Sequence, residues 1–294
     1  MAVKPHADID VDRTLVSRLL LEQHPDLAGR PLRVENAGWD NTIFRLGRDL
    51  AVRMPRREAA AHLIEHEQRW LPRLADVLDV RVPTPVRVGA PSDAFPWSWS
   101  VVPWLEGEAV SSTSRAHRRS IAHELATFFL QLHRPAPSDA PPNPVRGVPL
   151  AHRHDTVSER LRWHGFHRAD ELQALWSHAL AAAPFTGPPV WLHGDPHPAN
   201  LLVADGALSG VIDFGDLTAG DPATDLAAAW LVFDDAGREL FRRSIEDGRT
   251  IDAATWLRAR GWAIAIGTAL VAASDDDPVF AAIGRNTLDA VLDG

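Results

Sequence analysis

Asp195, Asn200 and Asp213 are the residues whose types and spacing best suit chemistry. They stand in the run His193-Gly194-Asp195-Pro196-His197-Pro198-Ala199-Asn200, then apolar Leu201-Leu202-Val203, Asp205-Gly206, a second apolar stretch from Leu208 to Ile212, and Asp213-Phe214-Gly215. Asp-Gly between two apolar runs signals a two-residue hairpin. A hairpin brings Asn200, just before its first arm, near Asp213, just after its second. An amide oxygen and a carboxylate at one hairpin end suit Mg²⁺, which takes hard oxygen ligands and keeps waters and substrate phosphates. Asp195 shares the loop and can face the same spot while leaving the metal ligands free. His193, Asp195 and His197 also spell H-x-D-x-H, the donor types of a metal hydrolase. That alternative leaves Asn200 and the Asp213-Phe214-Gly215 turn without a task. His193 fits better as a loop histidine that packs and hydrogen-bonds to hold Asp195. Asp221-Pro222 reads as a helix N-cap followed by proline at the first helical position.

The elements that must position these residues follow from periodicity. Val11 to Gln23 is a helix, with Leu15, Val16, Leu19 and Leu20 at helical spacing. Leu32 to Asn36, Thr42 to Leu46 and Leu50 to Met54 read as strands. Glu58 to Leu78 reads as a long helix, bent at Pro72. Val86 to Val88 and Trp97 to Leu105 return to strand. The order, three strands, a helix and two strands, suits an antiparallel sheet with one packed helix. Beyond Leu105 the character changes. Arg115 to His133 is helical, Pro135 to Pro149 is a proline-rich loop, and helices follow over Thr156 to Trp163 and Ala169 to Ala183. After the hairpin, the chain from Asp221 is mostly helical. No internal repeat is present. The fold class is therefore α+β, a small β-rich part before a larger helical one, with a boundary near Pro103 to Gly107.

Composition narrows the function classes. Hydrophobic residues make up 45% of the 294, which excludes a disordered chain. No apolar stretch reaches a membrane span, and the first twelve residues lack the apolar core of a signal peptide, so a cytoplasmic location is expected. There are no cysteines, hence no disulfide frame and no thiolate chemistry. The net charge of −9 argues against nucleic acid as a partner. After Val190 there are 17 acids against 7 arginines. Asp234, Asp235 and Glu239 form one acidic cluster and Asp275, Asp276 and Asp277 another. Bordering a cleft they would draw cationic substrates; as solvated helix ends they would serve solubility. No motif specifies an oligomeric state.

The stretches HGDPHPAN, VIDFGD and, from Gly220 to Ala227, GDPATDLA together resemble the aminoglycoside phosphotransferase family, with the macrolide phosphotransferases a close branch. The resemblance is strong from Val190 to Ala229, looser from Gly38 to Leu105, and faint elsewhere. It implies a two-lobed protein-kinase-like fold: residues 1–103 as a nucleotide-binding lobe ending in a hinge, 104–294 as the catalytic and substrate lobe. It implies transfer of the γ-phosphoryl group of ATP or GTP to a hydroxyl of an aminoglycoside or related antibiotic. A macrolide, choline, homoserine or methylthioribose are alternative acceptors. Asp195 would be the catalytic base, with Asn200 and Asp213 binding Mg²⁺ across the nucleotide phosphates. The family's small-lobe lysine is missing. Lys4, the only lysine, comes too early, and Arg53 stands in the third strand instead, as the expected phosphate contact. Glu67 is its expected partner on the following helix, in preference to Glu58 and Glu65. Gly38 sits where a phosphate-covering turn belongs. Val102 and Trp104 fall in the hinge that meets the purine, and Trp97, Trp99 and Trp104 are expected near that cleft. In the family the Asp221 carboxylate steadies the catalytic loop. A nucleotide-binding module without activity would not need Asp195, Asn200 and Asp213 together.

Overall fold

The computed structural model describes residues 6–163, 165–274 and 276–294. Lys4 and Asp275 lie outside them. The described residues up to Glu106 form one compact unit and those from Gly107 onward form another.

The first unit begins with helix α1 (Arg13–Gln23), whose N-cap Asp12 accepts a hydrogen bond from Leu15 N. Strands β1 (Leu32–Ala37), β2 (Asn41–Leu46) and β3 (Leu50–Pro55) follow as an antiparallel meander. Helix α2 (Glu58–Ala75) then leads to β4 (Arg87–Gly89) and β5 (Trp99–Pro103), which complete a sheet of order β1-β2-β3-β5-β4. The α2 helix stops at Ala75, three residues short of the expected Leu78, and carries Pro72 without ending there. Alternation along β3 divides the labour of its side chains. Val52 and Met54 join Val16, Leu19, Leu20 and Phe44 in the core beneath α1. Arg53 points the other way, toward α2, as its contact with Glu67 shows. Trp99 is fully buried in this core, with its ring edge against His24 and its face where a Gly89 side chain would be. It is a core residue and not the cleft residue expected.

The second unit opens with β6 (Glu108–Ala109). The helix expected over Arg115 to His133 is two pieces: a 3-10 stretch over His117–Ile121, then α3 (Ala122–Leu132). A 3-10 turn at a helix start satisfies backbone donors, and here Ser114 Oγ also accepts from His117 N at 3.4 Å. After the proline-rich loop come a 3-10 turn (Leu150–Arg153), α4 (His154–Trp163) and α5 (Ala169–Leu180). Strands β7 (Val190–Leu192), β8 (Leu201–Ala204), β9 (Ala207–Val211) and β10 (Thr218–Gly220) form two small antiparallel sheets, β10-β7 and β6-β8-β9. The remainder is helical: α6 (Ala223–Leu226), α7 (Ala228–Leu231), α8 (Asp235–Gly248), α9 (Ala253–Ala272) and α10 (Pro278–Asp293). The α9 helix is buried on most sides and packs against α4, α5, α6, α7 and α10. No helix among the described residues is long and apolar enough to cross a membrane.

Candidate active site

The hairpin forms as its turn residues dictate. Ala204 pairs with Ala207, leaving Asp205 (φ 52) and Gly206 (φ 79) as a two-residue turn of the primed type. At the other end, Ile212 N donates to Asn200 O at 2.9 Å. Asp213 therefore follows directly beside Asn200, as the spacing predicts. Asp213 takes a left-handed backbone (φ 62), which a short polar side chain tolerates, and its side chain is exposed. Asn200 is buried and donates from Nδ2 to the Asp195 carbonyl at 3.0 Å. Its remaining side-chain group is the carbonyl oxygen. One amide oxygen and one exposed carboxylate at the hairpin end are hard donors that fit Mg²⁺.

Asp195 is held from several sides. Arg146 Nη2 lies 3.2 Å from Oδ1 and His197 Nε2 lies 3.2 Å from Oδ2. Burial pushes the Asp195 carboxyl up, but the charges of His197 and Arg146 more than reverse this and hold it well below the usual carboxylate range. His197 moves the opposite way: burial lowers it, the Asp195 charge and hydrogen bond outweigh burial, and the imidazole is held above its ordinary value. Asp195 keeps 23% of its side chain exposed, so a ligand can reach it. Across from it, Asp216 accepts from Asn143 Nδ2 at 2.7 Å and faces Arg146 Nε at 3.5 Å. Burial raises its carboxyl, and the Asp195 and Asp213 charges add to the rise against Arg146.

His193 has the supporting place expected for it. Its Nδ1 accepts from Asp195 N at 3.2 Å, its Nε2 donates to Ile212 O at 3.0 Å, and its ring lies 4.7 Å from that of fully buried Phe214. Both ring nitrogens are thus committed, and the hydrolase alternative loses its first ligand. Gly194 (φ 89) passes so close to Asp216 that an added Cβ would lie 2.5 Å from its carbonyl oxygen.

The aspartate that steadies this loop is Asp225, not Asp221. Asp225, fully buried in α6, accepts from His193 N at 2.9 Å and Gly194 N at 2.8 Å, and its Oδ2 meets His133 Nε2 at 3.1 Å. Asp221 accepts from Ala223 N at 3.0 Å, the capping part of its expectation, but is chiefly gripped by Arg258 at 2.6 Å. Pro222 occupies the cap position itself.

Sequence reasoning missed Arg146. The proline-rich segment carrying it reads as a connector, yet it is fastened at every turn. Asn143 Oδ1 accepts from Val145 N and Arg146 N, Thr218 Oγ1 donates to Pro141 O, and Asp221 N donates to Gly147 O. The only local signal was Asn143 itself, a residue that closes turns onto its own backbone.

In the first unit, Arg53 and Glu67 meet. Arg53 Nη1 and Glu67 Oε2 lie 2.9 Å apart, with 8% and 1% of their side chains exposed. Glu67 falls in the buried stripe Ala60, Ile64, Leu71 and Leu74 of α2, while Glu58 and Glu65 are exposed. Gly38 N donates to Asn41 O across the β1–β2 turn at 2.8 Å, and its carbonyl accepts from Arg56 at 3.0 Å. Val102 is buried in β5 opposite Ala51. The Trp104 amide donates to Asp49 O at 2.8 Å, so that N–H is spent within the unit; its ring lies under the Arg45 guanidinium at 3.9 Å.

Four described members of the two acidic clusters, Asp234, Asp235, Glu239 and Asp277, are engaged within the chain. Asp234 caps α8 through Gly237 N and receives both Arg119 Nε and Nη2, Asp235 binds Arg238 at 2.7 Å, and Glu239 binds Arg243 at 2.8 Å. Asp277 caps α10 through Val279 N and Phe280 N. Helix capping and pairing with arginines thus account for these described carboxylates.

A mixed sheet-and-helix unit pair with this loop, hairpin and Asp-Phe-Gly turn defines a protein-kinase-like α+β fold. Residues 32–262 match the family model described as "Phosphotransferase enzyme family", and the chain belongs to that family. Among solved structures it is similar to the GDP complex of wild-type aminoglycoside 2'-phosphotransferase-IIIa (19% identity, 96% of this chain and 99% of that one, TM-score 0.66). It is also similar to the macrolide 2'-phosphotransferase MphH of Brachybacterium faecium (21%, 93% and 97%, TM-score 0.61). A third, the streptomycin–ATP complex of an APH(2") enzyme, shares 20% identity over 87% of this chain and 90% of that one, with a TM-score of 0.59. Likeness at this identity shows the fold. No curated protein sequence matches the chain.

Proposed function

We propose that this phosphotransferase moves the γ-phosphoryl group of ATP or GTP to a hydroxyl of a small molecule, with Asp195 as the residue that receives the hydroxyl. The observation that carries this reading is the single loop on which partly exposed Asp195 lies beside Asn200, itself hydrogen-bonded next to exposed Asp213. Asn200 and Asp213 would hold Mg²⁺, which when bound neutralises phosphate charge. With Arg146 on one oxygen and His197 at the other, Asp195 is ionised at neutral pH but weakly basic. Its task is therefore to accept the hydroxyl's hydrogen bond and aim the oxygen, taking the proton late. Arg53, steadied by Glu67, is proposed for the α- and β-phosphates, where a guanidinium can fork onto two oxygens. Gly38, Val102 and Trp104 are proposed along the nucleotide's path, Trp104 through its ring or carbonyl.

Aminoglycosides and macrolides enter as acceptor classes through relatives of the same fold. The test is a nucleotide-consumption screen across aminoglycosides, macrolides, choline, homoserine and methylthioribose, repeated with Asp195→Asn. On the true acceptor the variant should lose about 10²–10⁴-fold in kcat. Turnover within tenfold of wild type would falsify the role given to Asp195. Nucleotide binding without turnover of any hydroxyl compound would instead favour an inactive binding module.

A further inference from the structure

The segment that delivers Arg146 is pinned, and the pinning decides which of its donors are spent. Asn143 Oδ1 accepts from the amides of Val145 and Arg146, and Asn143 Nδ2 donates to Asp216 Oδ1 at 2.7 Å. One asparagine thus fixes both the backbone that carries the arginine and the carboxylate that faces it. A guanidinium has five N–H groups in a planar fork, one on Nε and two on each terminal nitrogen. Here Nε faces Asp216 Oδ2 at 3.5 Å and Nη2 donates to Asp195 Oδ1 at 3.2 Å. The two carboxylates therefore take one side of the fork. The end of the fork, Nη1 with the second N–H of Nη2, makes no hydrogen bond or ion pair with any described residue, and 15% of the side chain is open to solvent. Burial lowers this guanidinium, but the Asp195 and Asp216 charges outweigh burial and hold it above its ordinary value, so it stays charged.

That open end lies beside the place where transfer must happen. A hydroxyl hydrogen-bonded to Asp195 puts its oxygen about 2.5–2.7 Å from the carboxylate, and the phosphorus it attacks is the next atom along. Oxygens of the moving phosphoryl group then pass close to Nη2, itself in contact with Asp195 Oδ1. His197, the other cation on Asp195, has no open donor to offer. It is buried, its Nε2 is turned to Asp195 Oδ2, its Nδ1 is covered, and its ring packs against Phe280.

We infer that the open end of Arg146 grips two oxygens of the phosphoryl group as it passes to the acceptor, which makes Arg146 a catalytic residue as well as a holder of Asp195. This deepens the kinase reading and rests on it. In the step, the bond from phosphorus to the nucleotide's bridging oxygen breaks and leaves its electron pair on the nucleoside diphosphate. The acceptor oxygen forms the new bond with a lone pair, its proton passes to Asp195, and Arg146 gives up none. A guanidinium end matches two phosphoryl oxygens, and donors fixed beforehand through Asn143 and Asp216 need no rearrangement as charge shifts.

The experiment measures turnover of γ-labelled Mg·ATP and Mg·GTP, with water as acceptor and with the compound that the acceptor screen identifies. Arg146→Met should lower kcat about 10²–10³-fold and leave nucleotide KM within about threefold of wild type. Arg146→Lys keeps the charge without the fork and should lie between. In Arg146→Ala, added guanidinium ion should restore part of the lost turnover. In an Asp195→Asn background, Arg146→Met should cost about tenfold or more again, because the two residues touch different atoms of the reacting groups. A double variant no slower than Asp195→Asn alone would mean that Arg146 acts only through Asp195; that overturns the inference and leaves the kinase reading standing. A lower Tm in all three arginine variants, with no rescue by guanidinium, makes the residue structural and overturns it too. Wild type that transfers to neither water nor any hydroxyl compound sinks both readings.

Discussion

At the scale of single residues, the site divides its oxygens by environment. Asp195 is wrapped in positive charge, Asp216 is raised by burial and by its acidic neighbours, and Asp213 is exposed. A carboxylate brings a full charge to Mg²⁺ and an amide only a dipole. Asp213→Ala should therefore weaken Mg·nucleotide binding more than Asn200→Ala, and chelating the metal with EDTA should bring wild type down to the level of Asp213→Ala. Calorimetric titration with a nonhydrolysable nucleotide measures all three. Equal affinity in Asp213→Ala and wild type would remove the metal assignment.

At the scale of elements, the loop that carries Asp195 is held by a helix in addition to its bonds to the hairpin. Asp225 projects from α6 to two consecutive loop amides. Asp225→Ala leaves both unpaired in a buried place, at about 1–3 kcal/mol each. Chemical denaturation should show that loss together with reduced turnover, whereas a residue that mattered only to stability would leave kcat alone. Asp234 offers a separate check. The hydrogen bond from Arg119 holds its carboxyl below the ordinary range, so its stabilisation is present above that range and fades as pH falls through the depressed value. Asp234→Ala should cost about 1 kcal/mol at pH 7 through the lost cap, and the gap from wild type should close toward acid pH. A gap that persists unchanged at low pH would show that the charge contributes nothing.

The same elements explain what was legible. Asn200 and Asp213 could be paired from sequence because a two-residue turn fixes register locally. The meander around β3 was readable because alternation and turns are local too. Arg146 was not, because loop 135–149 has no periodicity and its geometry is set by Asn143, Thr218 and Gly147 acting on distant partners. Asp221 and Asp225 stand one helical turn apart, and only three-dimensional contacts tell which one reaches the loop. Arg115 to His133 has one apolar period throughout, so nothing local marked the change from 3-10 to α helix at Ala122.

At the scale of the whole molecule, the net charge of −9 has a structural use. Asp12, Asp234, Asp252 and Asp277 each cap a helix, so part of the acid excess serves helix starts. A ligand that binds only the folded state stabilises by about 2.7 kcal/mol at a hundred times its Kd. Mg·ATP should raise Tm accordingly, and Arg53→Met should remove part of that rise. An undiminished rise in Arg53→Met would take the phosphate contact away from the first unit's strand.

Gly147 and Gly220 lie back to back: a Cβ built on Gly220 would be 2.2 Å from the Gly147 carbonyl oxygen, and one on Gly147 would be 2.9 Å from Leu192. Both obstacles belong to the seam between β10, β7 and the loop that delivers Arg146. A single methyl group there has nowhere to go except into that loop, and the loop's next residue is Arg146. The seam thus works as a spacer gauge. Its thickness, set by two absent side chains, should govern how near the guanidinium comes to Asp195, so random mutagenesis should find loss-of-activity alleles at these two glycines.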